Sequence, residues 1–227
     1  KLKAPISGCV LRGTAYVRFS MSLPKSSSSD SRPVPLWAPL ILIVAALALR
    51  WFKLTPAGAD FLPGFSPWMA LAFTGTLLFS RGVKAWMIPM AIILIDQVSF
   101  GWDVESLKAA APTYGCLILA AWWASGLRKQ TGVIGTMGRT AVCSVAFYVI
   151  TSSSSWLILP EYSKTLGGWV QALTTGLPGY PASILFLRNA LLSDLAFSLV
   201  LIVAHNVEAA KRGAFRVPLL RPASATA

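Results

Sequence analysis

Six apolar stretches, each bounded by charged or turn-forming residues, constrain the fold of this chain more than any other feature of its sequence. A helix needs roughly 20 apolar residues to cross the hydrocarbon core of a bilayer, with a range of about 17 to 25. The stretches are Leu36–Phe52, Pro67–Ser80, Val83–Phe100, Thr113–Leu127, Thr140–Leu159 and Ala182–Asn206. The sequence therefore predicts an all-α membrane protein with six transmembrane helices, embedded in a lipid bilayer.

The composition agrees with a membrane protein. Hydrophobic residues make up 55% of the chain and charged residues only 12%, whereas soluble domains carry about 25% charged residues. The net charge of +12 would suit a nucleic-acid-binding protein. The basic residues, however, lie between the apolar stretches, which is typical of membrane topology rather than of a phosphate-binding stripe. We therefore expect no nucleic-acid partner.

The placement of the basic residues predicts the orientation. With the N-terminus inside, fifteen Lys and Arg residues fall in cytoplasmic segments and four in outer segments, and Arg188 is left in or near the sixth helix. Cytoplasmic loops are enriched in Lys and Arg in membrane proteins. We therefore predict that both termini are cytoplasmic.

Three segments follow from this topology. Residues 1–35 are rich in serine and form a predicted flexible polar N-terminal tail. Residues 36–206 form the six-helix transmembrane domain, and residues 207–227 form a basic cytoplasmic C-terminal tail. Because Met21 opens a plausible short cytoplasmic start, we interpret residues 1–20 as upstream sequence or a misassigned start.

The predicted outer loops carry more aromatic and acidic residues than the predicted inner loops. In the loop between helices five and six, Ser163–Thr174 reads as a short helix lying at the interface, with Trp169 as its anchor. Several aromatic residues are also predicted to lie at the outer membrane interface. They form either an aromatic belt at the membrane surface or, as the alternative, the lining of a ligand pocket.

Three ionisable side chains stand out as candidates inside the predicted helices, where a charge costs about 2.5–3.5 kcal/mol on insertion scales. They are Asp96, Arg188 and Asp194. The acids would either line a ligand cavity or form interhelical hydrogen bonds that hold the bundle together. Arg188 and Asp194 are six positions apart and point to different sides of one helix. Arg188 would therefore pair across helices, for instance with Asp96, or reach towards the membrane surface.

The sequence offers no catalytic or metal-binding constellation. The serine run Ser152–Ser155 is either a loosened helix that offers polar groups to a cavity or a flexible helix end. No GxSxG motif accompanies it, and His205 falls at the opposite membrane face, so we predict that the protein is not an enzyme. Three cysteines without a CxxC pair and a single histidine predict no metal site. No cofactor motif is present, so we expect no cofactor.

Four collinear segments resemble a family of small bacterial membrane proteins described as transport proteins. They are LPGFSPWMALAFTGTLLFS (62–80), IPMAIILIDQVSFG (88–101), ITSSSSWLILPEYSKTLGGW (150–169) and ILFLRNALLSDLAFSLVL (184–201). That family is in turn similar to the S components of energy-coupling-factor transporters. S components are six-helix proteins that capture a vitamin or metal near the outer face. They dock on a transmembrane coupling protein with two ATPases.

The resemblance implies a function. The chain would bind a small nutrient from the outer side of the bacterial plasma (inner) membrane and take it up with a coupling protein and its ATPase subunits. The residues expected to bind the substrate are Phe65, Ser66, Asp96, Trp156, Tyr162, Arg188, Asn189 and Asp194. The acids would accept hydrogen bonds or balance a cation, and Arg188 would face an anionic group. The alternatives are a non-transporting membrane scaffold or assembly protein and an integral membrane lipid-modifying enzyme.

Overall fold

The computed structural model describes residues 37–53, 66–79, 84, 86–127 and 131–220. Within these ranges the chain is helical and has no strand, which confirms the predicted all-α class. A π-helix, Ala70–Gly75, runs directly into the short helix α2. The α-helices are α1 (Trp37–Lys53), α2 (Thr76–Leu78), α3 (Met87–Phe100), α4 (Val104–Gly126), α5 (Val133–Ile158), α6 (Leu166–Leu173) and α7 (Ser183–Arg212).

Three helices extend beyond the apolar stretches that predicted them. Helix α4 begins at Val104 rather than Thr113, and α5 begins at Val133 rather than Thr140. The start of α4 is fixed by Asp103, whose side chain accepts a hydrogen bond from the backbone nitrogen of Ser106 at 2.8 Å. Such N-caps satisfy donors that the first helical turn leaves free. In α4 and α5 the apolar run therefore covers only part of the helix.

Helix α7 also continues past its predicted end, to Arg212 instead of Asn206. The beginning of the predicted C-terminal tail is thus helical. The helix stops at Gly213, which has a φ of 65°, a left-handed conformation that glycine adopts without steric cost. Lys211 and Arg212 lie in the last turn, where positive charge interacts favourably with the helix dipole.

The predicted short helix between the fifth and sixth stretches is present as α6. It occupies Leu166–Leu173, within the predicted range 163–174. Thr165 caps its start by accepting a hydrogen bond from the nitrogen of Gly168 at 3.2 Å. Phe65, the turn at residues 81–82 and the N-terminal tail lie outside the described residues.

The π-helix lies at the centre of the bundle. It packs against α4, α5 and α7, and all six of its residues are buried. Gly75 allows α1 and α3 to pack closely against the π-helix, because a Cβ atom there would lie 3.0 Å from Cδ1 of Ile88 on α3 and 3.4 Å from Cδ1 of Ile43 on α1. On the other side, the rings of Phe73 and Trp123 meet edge to face at 5.4 Å.

The bundle places many apolar side chains outside and polar ones inside. On α4, for example, Leu119 and Trp122 are 61% and 71% exposed. Fully buried polar side chains face the centre instead, among them Thr74, Thr136, Thr140, Ser144, Ser193 and Ser198. Two of the described helices, Val133–Ile158 and Ser183–Arg212, are long and apolar enough to cross a membrane, whereas Trp37–Leu49 and Met87–Ser99 are shorter apolar helices.

Candidate functional site: a polar cluster around Asp194

The carboxylate of Asp194 binds the first residues of the helical segment 68–78, which contains the π-helix and α2 and which we call the central helix. Its Oδ1 atom accepts hydrogen bonds from the backbone nitrogens of Met69 at 3.0 Å and Ala70 at 2.9 Å. Helix starts leave several N–H groups without intrahelical acceptors. Asp194 therefore acts as an N-cap supplied by another helix, and its negative charge suits the positive end of the helix dipole.

The second oxygen of Asp194 is held by Ser144 on α5. The Ser144 hydroxyl lies 2.5 Å from Asp194 Oδ2 and 3.1 Å from the carbonyl oxygen of Thr140, so its one hydrogen has two acceptors in reach. Asp194 is only 1% exposed. A buried charge without partners is prohibitively costly, whereas hydrogen bonds to charged groups contribute about 1.5–3 kcal/mol each. The three donors offset part of the cost of burying this carboxylate.

A second group of hydroxyls lies one helical turn away from the Asp194 carboxylate, on the π-helix, α5 and α7. Thr74 Oγ1 lies 3.1 Å from Thr140 Oγ1 and 2.8 Å from Ser198 Oγ. Residues four apart share one face of a helix. Ser198 therefore lies on the same face of α7 as Asp194, and Thr140 lies on the same face of α5 as Ser144. We call these five side chains the polar cluster: Thr74, Thr140, Ser144, Asp194 and Ser198.

The polar cluster sets the depth at which the central helix begins. Asp194 lies about 17 Å along α7 from Ser183, at about 1.5 Å per residue. The hydrogen bonds to Met69 and Ala70 hold the start of the π-helix at this level. From there the π-helix runs parallel to α7, because Met69 meets Asp194 and Thr74 meets Ser198. Its described residues thus accompany only the second part of α7.

The other acidic candidate lies on a different helix. Asp96 is buried in α3, 4% exposed. Its neighbour Gln97 donates a hydrogen bond from Nε2 to the hydroxyl of Tyr114 on α4 at 3.1 Å. Among the described residues, Gln97 Oε1 and Ser193 Oγ are buried without a hydrogen-bond partner. These two atoms are free to accept hydrogen bonds.

Arg188 and Asn189 lie near the beginning of α7. Arg188 is exposed, and its Nε donates to the side-chain oxygen of Asn189 at 3.2 Å. Asp194 is buried, so the two charged residues do point to different sides of the helix, as their spacing predicted. Arg188 thus lies on the outside of the bundle, and its pairing across helices or its reach towards a membrane surface stays a prediction.

Trp156 belongs to a hydrogen-bonded cap over the end of α5, and Tyr162 lies in the loop that follows this helix. The indole nitrogen of Trp156 donates to the carbonyl of Ser163 at 2.8 Å. Lys164 Nζ donates to the carbonyl of Leu159 at 2.5 Å and also to that of Trp156, which places a cation at the C-terminal end of the helix. Tyr162 is buried, 6% exposed. Trp156 and Lys164 thus tie the loop to the end of α5.

The serine run is regular helix. Helix α5 continues through Ser152–Ser155 to Ile158. Ser154 and Ser155 donate to the carbonyls one turn earlier, at 2.9 and 3.1 Å. Ser153 instead accepts a hydrogen bond from Trp169 Nε1 at 2.8 Å, which ties α6 to α5. The interpretation of this segment as a loosened helix was therefore wrong, because hydroxyl groups can bond back to a helix without breaking it.

Of the remaining predicted site residues, Ser66 is partly buried, and its carbonyl accepts from the nitrogen of Trp68 at 2.9 Å. Sequence reasoning did not single out Thr74, Thr140 or Ser144. The spacing of Thr140 and Ser144, four apart in an apolar helix, was the available signal. In the described part of the chain, no three His, Cys, Asp or Glu side chains come together as metal ligands.

Comparison with known proteins places the chain in a family. Neither the search of curated proteins nor the search of solved structures finds a match. Residues 31–216, most of the chain, match a family described as "Family of unknown function (DUF6580)". The match includes every helix described above and the polar cluster. The chain therefore belongs to the DUF6580 family.

Proposed function

We propose that the protein is a multi-pass membrane protein of the bacterial plasma membrane, with six transmembrane helices and both termini in the cytoplasm. Its outward-facing apolar side chains and its buried polar cluster support this proposal. Lipid tails solvate apolar side chains, whereas buried hydroxyl and carboxylate groups need partners inside the bundle. The excess of basic residues in the predicted inner segments supports the orientation.

We further propose that it binds a small polar nutrient from the outer side for uptake, as an S component does. The observation that carries this proposal is the depth at which the central helix begins. The hydrocarbon core is about 30 Å thick, and Asp194 holds the helix start about 17 Å along α7. Helices that begin near the middle of the membrane are characteristic of transporter binding sites, and here the helix start is held by the Asp194 carboxylate.

In this proposal Asp194 is a positioning residue. Its two oxygens are occupied by Met69, Ala70 and Ser144, so it orients the helix start, and the solute contacts other groups. Gln97 Oε1 and Ser193 Oγ, which are buried without a partner among the described residues, supply acceptors for a solute that carries hydrogen-bond donors. Asp96 lies beside Gln97 on α3.

The proposal is tested on the protein purified in mild detergent, by native mass spectrometry followed by identification of released small molecules. We expect a stoichiometric polar metabolite in the wild type and its loss in Gln97→Leu. Lys108→Gln, which changes an exposed side chain paired with Glu105, is the matched control and should retain the metabolite. A protein that carries no solute, and whose melting temperature no vitamin or metal ion changes, would contradict the uptake function.

A membrane scaffold or assembly protein is the second candidate, and one observation favours it. All the hydrogen bonds described for Asp194 serve to hold the protein's own helices together. A scaffold predicts that no solute copurifies and that a protein partner does. Uptake through a coupling protein predicts that the copurifying partners include an ATPase. Cross-linking in native membranes followed by identification of the captured proteins separates the two.

A further inference from the structure

The chain that follows α7 turns back along that helix. At Gly213 the backbone enters the left-handed region, and the nitrogen of Ala214 bonds the carbonyl of Ala209 at 2.9 Å. Asn206 then binds the backbone of Val217 twice, with Nδ2 donating to its carbonyl at 2.9 Å and Oδ1 accepting from its nitrogen at 2.7 Å. Val217 therefore lies level with Asn206. We call residues 214–220 the C-terminal strap.

The strap is also bonded to the beginning of α5. The nitrogens of Val133 and Ile134 donate to the carbonyls of Pro218 and Leu219, at 2.8 and 3.3 Å. The strap thus satisfies two donors that the start of a helix leaves open. The fit is close at Gly132, where a Cβ atom would lie 2.8 Å from the carbonyl oxygens of Pro218 and Leu219. The strap is held at a fixed level between α5 and α7.

The outer surface of the strap is both apolar and basic. Phe215, Leu219 and Leu220 are each 65% exposed. Lys211, just before the strap, and Arg216 within it are exposed as well. Arg212 is engaged by Glu208 at 2.8 Å, and the sequence contains no acidic residue after Glu208.

We propose that the C-terminal strap is a binding surface for anionic phospholipids of the inner leaflet, a role that rests on the membrane topology proposed above. Because the strap turns back to the level of Asn206, its apolar side chains return to the membrane boundary while Lys211 and Arg216 stay at headgroup level. Exposed apolar residues beside Lys and Arg are the combination that binds an anionic interface. The exposed positive charges of Lys211 and Arg216 favour a lipid headgroup carrying a net negative charge.

The test compares the full chain in mild detergent with added phosphatidylglycerol or phosphatidylcholine, followed by thermal unfolding. A ligand that binds only the folded state raises the melting temperature. We expect phosphatidylglycerol to raise it by several degrees more than phosphatidylcholine. Lys211→Gln combined with Arg216→Gln should abolish that difference. Lys108→Gln, which removes a cation from the predicted outer side, should preserve it.

A second variant separates charge from position. Asn206→Ala keeps both cations but releases Val217, so we expect it to reduce the preference for phosphatidylglycerol while the protein still folds. Equal responses to the two lipids in the wild type, or an unchanged preference in the double variant, overturn the proposal. The proposal is also overturned if the double variant loses a protein that copurifies with the wild type but keeps the lipid preference. Native mass spectrometry measures solute binding independently of this lipid assay. A negative result for the strap therefore leaves the uptake function to be decided by its own test.

Discussion

The backbone nitrogen of Met69 lies 3.0 Å from Oδ1 of Asp194, although the two residues are 125 positions apart in the chain. The contact joins the start of the π-helix to the middle of α7. It explains why an acidic residue is buried between apolar helices, since the carboxylate replaces the missing acceptors of a helix start. The same contact sets the depth of the central helix, on which the proposed uptake function depends.

Replacing Asp194 with leucine should destabilise the protein strongly, whereas asparagine should be tolerated. Asp194→Leu leaves the N–H groups of Met69 and Ala70 buried without an acceptor, at a cost on the order of 2–4 kcal/mol. In Asp194→Asn, the amide oxygen still accepts from both nitrogens. Its NH₂ group donates to Ser144, whose hydroxyl then donates to Thr140, so the cost stays below about 1.5 kcal/mol.

Denaturation of both variants in mixed detergent micelles measures this difference in the free energy of unfolding. Equal losses of stability for leucine and asparagine would show that the charge of Asp194, rather than its hydrogen-bond geometry, holds the helix start. Ser66→Ala, which changes a side chain outside the polar cluster, serves as the baseline.

Thr74 and Thr76 provide a matched pair within the central helix segment, because both are fully buried. Thr74 Oγ1 contacts two hydroxyls, whereas Thr76 Oγ1 has no hydrogen-bond partner among the described residues. Interhelical hydrogen bonds in membrane proteins contribute about 0.6 kcal/mol on average. Thr74→Val should therefore lower the free energy of unfolding by roughly 1 kcal/mol.

Thr76→Val, by contrast, removes an unsatisfied polar atom and keeps the side-chain shape, so it should leave the stability unchanged or raise it. The same micelle denaturation measures both variants. A larger loss for Thr76→Val than for Thr74→Val would mean that the Thr76 hydroxyl has a partner, such as a bound water or solute.

The sequence was sufficient to predict the helices but not the relationships among them. The apolar runs located α1, α3, α4, α5 and α7, and the stretch Pro67–Ser80 located the segment formed by the π-helix and α2, because burial in either protein or lipid requires apolar residues. They could not predict that Ala70–Gly75 is a π-helix rather than an α-helix, since a change of hydrogen-bond register leaves no mark in the pattern of apolar residues. They also missed the first two turns of α4, where capping by Asp103 extends the helix into polar sequence.

In the candidate site, too, the sequence predicted individual residues but not their tertiary partners. Asp194 stood out as an acid inside an apolar run, and its shared face with Ser198 followed from helical spacing. Its main partners did not, because Met69 and Ala70 contribute backbone nitrogens, which every residue has. Only the relative depth of the two helices selects these donors. That depth is a tertiary property that no local pattern encodes.

Two neighbouring glycines in α6 should respond very differently to alanine. At Gly168 a Cβ atom would lie 2.0 Å from the carbonyl oxygen of Ser163, whereas at Gly167 the nearest atom, Thr165 Oγ1, is 3.7 Å away. Gly168→Ala must displace backbone, at a cost of about 1–3 kcal/mol. Gly167→Ala should be neutral or slightly stabilising, because alanine favours helix.

Thermal unfolding in detergent compares the two alanine variants. Hydrogen exchange of the Trp169 amide reports whether α6 itself has loosened. Similar melting temperatures for Gly167→Ala and Gly168→Ala would contradict the close approach between α6 and the Ser163 turn.

The start of α4 should lose its cap in acid. Asp103 is exposed, and hydrogen bonds from the hydroxyl and the backbone nitrogen of Ser106 hold the pKa of its carboxyl below the ordinary value of 3.8. Because the folded pKa is the lower one, ionised Asp103 stabilises the helix start above pH 3.8, and this contribution disappears as the pH falls through the folded value. The protection factor of the Ser106 amide against hydrogen exchange should therefore decrease below about pH 4. Asp103→Asn keeps a capping oxygen that does not titrate, so its Ser106 protection should be independent of pH; a decrease of the same size in that variant would assign the effect to another acid.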